Sequence, residues 1–223
     1  MVRKKTVKKV VKENPNRAVE KQFFWLVGII IVITLSFVFV PMLYHKIFEK
    51  FEYGGVNFEK VKTGKLVFYH GQFPVIYKGE LSVVYNVYLR NDPRKNNIPI
   101  TTNLSLSRKV SVSLNNDVNL CKDMVLGQSE IGKFLPAFPF IKNISAGVVN
   151  GTTAKEMNLT QITCKNASAD NTVIIIQNSE TPSIDAGETE NCFLLNIGKC
   201  QYLPTVERYV VGVMAQINGK TLN

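Results

Sequence analysis

The hydrophobic pattern of this chain changes character partway along its length. Residues 23–44 form one run without a charge, Phe-Phe-Trp-Leu-Val-Gly-Ile-Ile-Ile-Val-Ile-Thr-Leu-Ser-Phe-Val-Phe-Val-Pro-Met-Leu-Tyr. At about 1.5 Å per residue such a run makes a helix of about 33 Å, enough to cross a hydrocarbon core of about 30 Å once. Trp25 and Tyr44 stand near its two ends, where amphipathic rings settle at membrane interfaces. Beyond it, Ile47, Phe48 and Phe51 keep helical spacing, which predicts a juxtamembrane stalk over 45–55 that stops at Gly54-Gly55.

From residue 56 to 223 the period shortens to two. Leu81, Val83, Tyr85, Val87 and Leu89 alternate with mainly polar neighbours, predicting a half-buried strand over 80–90. Leu104 with Leu106, and Val110 with Val112 and Leu114, repeat the pattern. Further strands are expected at 66–69, 75–77 and 193–197, and the continuous run Val173-Ile174-Ile175-Ile176 reads as the central one. Two stretches prefer helix. Ile131, Phe134 and Leu135 are spaced for a short helix over 129–135, and Val206, Tyr209, Val210, Val213, Met214 and Ile217 lie at offsets of 0, 3, 4, 7, 8 and 11 after Pro204. The β-branched content of 204–217 leaves a strand open there. The expected fold class is therefore mainly β: an N-terminal transmembrane helix, then a β-sandwich-like outer domain with one or two short helices.

Charge refines this picture. The 223-residue chain carries a formal +10, but residues 1–22 hold eight Lys or Arg against Glu13 and Glu20, which places +6 of it in one short tail. A basic tail beside an apolar run orients a span with its N-terminus in the cytoplasm, and argues against a nucleic-acid partner. A cleaved secretory signal is disfavoured by the length of the run and by Met42-Leu43-Tyr44-His45, which offers no small-residue cleavage site. A pilin-like cut at Arg17-Ala18 would leave Glu20 and Lys21 early in the mature helix.

All four cysteines, Cys121, Cys164, Cys192 and Cys200, follow the span, and their even number points to two disulfides in an oxidising compartment. Three pairings are open. Cys192 with Cys200, leaving Cys121 with Cys164, is the expected one because the first loop is short. No C-x-x-C spacing supports a zinc or redox site. Five Asn-x-Ser/Thr triplets, at Asn103, Asn143, Asn150, Asn158 and Asn166, fall on the same side of the span, so these are candidate glycosylation sites, with 143–166 expected to be surface loop.

Catalytic signals are sparse. His45 and His70 are the chain's histidines, the first at the membrane interface and the second beside Gly71 in an expected turn, and neither has a motif partner. Glu180, Asp185, Glu188 and Glu190 make an acidic segment with no ligand-loop spacing, so no metal or other cofactor is assigned. Asn91-Asp92-Pro93-Arg94-Lys95 is turn chemistry, and its functional version is an anion-binding tip formed by Arg90, Arg94 and Lys95.

The order of basic tail, single span, Tyr88-Leu89-Arg90-Asn91-Asp92-Pro93-Arg94 with Ile98-Pro99-Ile100, then Cys192 and Cys200, resembles uncharacterised archaeal membrane-anchored envelope proteins. The resemblance implies an archaeal cell envelope as location and brings no activity with it. Three functions follow as expectations: a membrane-anchored binding or structural domain that contacts the lipid bilayer and another envelope protein or a glycan; an accessory subunit of a larger membrane complex; or an anchored hydrolase with a dispersed site.

Overall fold

The computed structural model of the chain describes residues 15–44, 49–118 and 121–222. These fall into two units, one ending at Phe48 and one beginning at Glu49. The first is helix α1 (Pro15–Tyr44), which opens on a proline whose missing N–H costs a first turn nothing. Its Gln22–Leu43 stretch has a mean hydropathy of 2.8 and buries nothing against protein. Thr34 and Ser36 donate their hydroxyls to the carbonyls of Ile30 and Val32, both at 2.8 Å, so each is satisfied within the helix. By length and composition this helix can cross a membrane, a property it shares with signal sequences.

The second unit begins with β1 (Lys50–Tyr53), β2 (Val56–Thr63), β3 (Leu66–Tyr77) and β4 (Glu80–Leu89), an antiparallel sheet in that order. Positive φ at both Gly54 and Gly55, and again at Lys78 and Gly79, gives the two-residue turns whose twist matches that of hairpin strands. The expected helical stalk is corrected here. Residues 45–48, with His45, lie outside the described residues, but Lys50–Tyr53 is a strand because Gly54-Gly55 turns the chain back and stacks Phe58 on Phe51 at 5.7 Å. The strands expected at 66–69 and 75–77 are two ends of the single β3, so His70 and Gly71 lie within a strand, not a turn. Gly71 has a packing reason: a Cβ there would press on the Phe58 ring.

Next come β5 (Lys109–Leu114), α2 (Met124–Phe134), β6 (Asn143–Val148), α3 (Gly151–Glu156), β7 (Thr160–Gln161), β8 (Asn171–Ser179), β9 (Ser183–Ala186), β10 (Cys192–Gly198) and α4 (Tyr202–Ile217). Six of these strands form a second sheet in the order β7-β6-β5-β8-β10-β9, in which every neighbouring pair is parallel except β10 with β9. Parallel strands need cover on both faces. In β8, Ile174 and Ile176 enter the main core, while Val173 and Ile175 face a smaller cluster with Ile162, Cys164 and Cys192. The expectation for 173–176 as an interior strand therefore holds. The strand expected at Leu104 and Leu106 does not form: this stretch is irregular, with Leu104 buried and its N–H bonded to the Gln216 side chain.

The C-terminal segment is helix. Thirteen residues of α4 are buried, from Tyr202 to Ala215 with Pro204 excepted, and a helix apolar nearly all round has to lie inside a fold. One side meets α2, where Gly127 receives the Tyr202 ring and Val206; another meets the antiparallel sheet, with Ala215 against Gly54; a third meets β9 and β10. Burial between neighbours overrides the modest helix cost of its four valines. The sheet-rich character expected from the sequence thus stands, joined by three helices of which one is core.

The disulfides are Cys121–Cys200 and Cys164–Cys192, with Cα separations of 5.1 and 5.4 Å. This overturns the expected pairing. Cys192 opens β10 and Cys200 follows it, so about 20 Å of extended strand holds them apart. The expected loop over 143–166 is also corrected, since it contains β6, α3 and β7. All five sequon asparagines are nonetheless exposed. Asn150 accepts from the N–H groups of Thr152 and Thr153 as the N-cap of α3.

Candidate functional site: a cationic cleft beside the 90–99 loop

Where β4 stops, its backbone groups lose their ladder partners, and α4 supplies replacements. The buried Glu207 carboxylate accepts from the backbone N–H groups of Arg90 and Asn91 and, at 2.7 Å, from the Asn91 side chain. Burial pushes this carboxyl up to about 7 despite those three donors, and Glu130 on α2 adds to the rise. The next residue, Arg208, is equally buried; it donates to the Ile98 carbonyl at 2.9 Å and to the Tyr53 hydroxyl. Asn96 donates to the Pro204 carbonyl at 2.7 Å. One helix therefore grips the loop at three places.

Inside the loop, Asp92 and Pro93 make the turn the sequence predicts. Lys95 N–H donates to the Asp92 carbonyl, and Arg94 donates to the Asp92 carboxylate from its backbone and from Nε and Nη2, at 3.1, 3.0 and 2.8 Å. Burial pushes Asp92 upward, but the Arg94 hydrogen bonds outweigh it and hold the carboxyl below its ordinary value; Arg94 is raised in return. The Arg94 guanidinium also lies over Phe51, 3.7 Å from the ring centroid. Arg94 is thus committed within the fold.

Arg90 and Lys95 have a different position. Together with Lys60 and Tyr69 from the antiparallel sheet, Asn91, Asn96, Ser183 and Gln201, they line a cleft of about 890 Å³ between the loop, the β8–β9 turn and the start of α4. Its acidic member is Asp92, already neutralised by Arg94, so three cations line the space with amides and the hydroxyls of Tyr69, Thr181 and Ser183 among them. Of the proposed tip, the structure brings Arg90 and Lys95 to one cleft and assigns Arg94 elsewhere. Lys60, Ser183 and Gln201 were beyond sequence reasoning because they come from three separate elements. Glu207-Arg208 was the available signal: two charges inside an apolar helical repeat must find partners once buried.

A second depression, about 670 Å³, lies on the outer face of the antiparallel sheet and includes His70, Glu52 and Glu59. There His70 bonds Asn86 at 3.1 Å and stacks on Tyr88, while Glu59 bridges Lys50 at 3.4 Å. In the acidic segment, Asp185 accepts from Thr101, Ser183 and Asn196, which makes it a strand-edge connector. Among the described residues no group of three or more His, Cys, Asp or Glu is arranged to hold a metal.

No family model matches this chain, and comparison with curated proteins and with solved structures finds no match either.

Proposed function

We propose that the chain is a membrane-anchored, extracytoplasmic binding domain of the cell envelope, with α1 as its tether, and that the cleft takes an anionic group of an envelope glycan or partner protein. The observation that carries this reading is the cleft itself: Lys60, Arg90 and Lys95 converge on a space whose acid is already paired. The loop carrying two of these cations is held by hydrogen bonds to α4, so little ordering of its backbone opposes binding. The two disulfides and the exposed sequons agree with an oxidising exterior, and a two-sheet domain around a buried helix is a suitably rigid carrier.

The test is titration of the full chain in detergent micelles with a sulfated oligosaccharide. Saturable binding is expected, weakening as salt rises, with a loss of about tenfold or more in the Arg90→Ala/Lys95→Ala variant. Absence of saturable binding, or equal affinity in that variant, sinks the reading.

A subunit role is favoured by a separate observation. Strand β4 is an edge of its sheet, and its projecting half exposes Leu81, Val83 and Val84, with Ile76 exposed beside them on β3. Exposed apolar edges of this kind pair with other proteins. Crosslinking in intact cells distinguishes the two, since a stoichiometric membrane partner held through β4 supports the subunit.

A further inference from the structure

The register of the antiparallel sheet fixes the end at which the chain enters it. Lys50 pairs with Glu59, so the chain enters the sheet at the level of Glu59, on the side of β2 that runs on through Lys60 to Thr63. That is the end of the sheet at which the β2–β3 hairpin turns, at Gly64-Lys65, with φ of 61° at Gly64. The hairpin tip lies about four residues, or about 13 Å, beyond the level of Lys50. The chain from Leu43 to Lys50 can span at most about 25 Å. If the apolar helix is a membrane anchor, Lys50 lies within about 25 Å of its end, and the hairpin tip, about 13 Å from the level of Lys50, is within reach of the bilayer surface.

The composition of the hairpin suits what it would meet there. From Lys60 to Phe68 the sequence is Lys-Val-Lys-Thr-Gly-Lys-Leu-Val-Phe, three cations with no acid. Residues 62–66 are exposed on both faces of the sheet because the core ends before them. Leu66 is 47% exposed at the turn, too apolar for a purely solvated tip, and the half-buried Val61 and Phe68 stand on its face of the ladder. Lysines around a short apolar tip are the arrangement that seats a loop at a headgroup boundary, the cations on phosphate and the apolar side chain below them.

We propose that the β2–β3 hairpin docks on the bilayer surface, with Lys62 and Lys65 on anionic headgroups and Leu66 at the acyl boundary. Docking adds a second attachment to the single tether, which sets the tilt of the domain above the membrane. This inference rests on the anchoring part of the proposed function and is independent of what fills the cleft, since Lys62, Lys65 and Leu66 do not line it.

The test uses the full chain reconstituted in phosphatidylcholine vesicles with and without phosphatidylglycerol, read by hydrogen exchange of the amides in 61–67. Exchange is expected to slow by roughly tenfold in the anionic vesicles, and the Lys62→Glu/Lys65→Glu variant should lose that difference while keeping its melting temperature. Inorganic phosphate added to neutral vesicles should not reproduce the slowing, which separates a lipid surface from a free anion. Equal exchange in both vesicle types overturns docking, and so does slowing that survives in the variant. Alkaline carbonate extraction separates the two failures: a chain that washes out of the bilayer refutes the anchor, whereas a chain that stays while its hairpin exchanges freely refutes docking alone.

Discussion

Glu207 shows how one buried charge ties a loop to a helix and leaves a signature in pH. Its ordinary value is 4.5 and burial moves it to about 7 in the fold. Between these values the folded chain holds a proton that the unfolded chain has released, so stability is highest at the acidic end and falls as pH rises from 4.5 to 7. The loss is on the order of 3 kcal/mol. Melting temperature followed by circular dichroism should therefore drop across that window, and Glu207→Gln should flatten much of the slope. Glu130 is shifted upward as well and retains a part of it, whereas Asp92 is shifted downward and acts below the window. Gly127 carries a steric constraint of a different kind. A Cβ there would overlap the Tyr202 ring, so Gly127→Ala should cost about 1–3 kcal/mol in urea unfolding.

Among the elements, β10 separates Cys192 from Cys200 and so decides the disulfide pattern. The Cys164–Cys192 bridge closes 28 residues of separation and packs the smaller apolar cluster, with Gly187 against its sulfurs. Replacing both cysteines by serine is expected to cost about 3–4 kcal/mol, seen as a lower denaturation midpoint than the parent measured without reductant. Strand β8 was legible in the sequence because burial on both faces leaves a continuous apolar run, whereas the apolar excess of α4 marked it as buried and left helix or strand open. By contrast no strand is expected over 56–63, and β2 emerges only where β1 and β3 supply its partners. The irregular Leu104 segment erred the other way, since its alternation reflects one buried leucine bonded through Gln216 and not a ladder.

For the chain taken together, the proposed topology predicts that protease added to intact cells removes residues beyond the span and spares the basic tail. Digestion of the tail in sealed cells would reverse the orientation. Glycan release from native protein should lower its mass if the exposed sequons are used, and an unchanged mass would remove glycosylation from the proposal. The cleft was only half legible. Arg90 and Lys95 could be named from a turn motif, but Lys60, Ser183 and Gln201 reach the same space from residues far apart in the chain.

Local pattern was enough for the features that depend on neighbours in sequence: an apolar helix of membrane length, period-two strands and the Asp92-Pro93 turn. The C-terminal segment stayed between helix and strand until burial on several sides made it a helix ending at Ile217, with Gly219 at φ 67°. What local pattern could not reach is everything set by pairing across long separations. Parallel register in β5, β8 and β10, the sorting of four cysteines into two bridges, and the burial of Glu207 and Arg208 against the 90–98 loop arise when distant segments pack. Alternation specifies which face of a strand is buried, but it carries no record of which strand, cysteine or carbonyl will lie against that face.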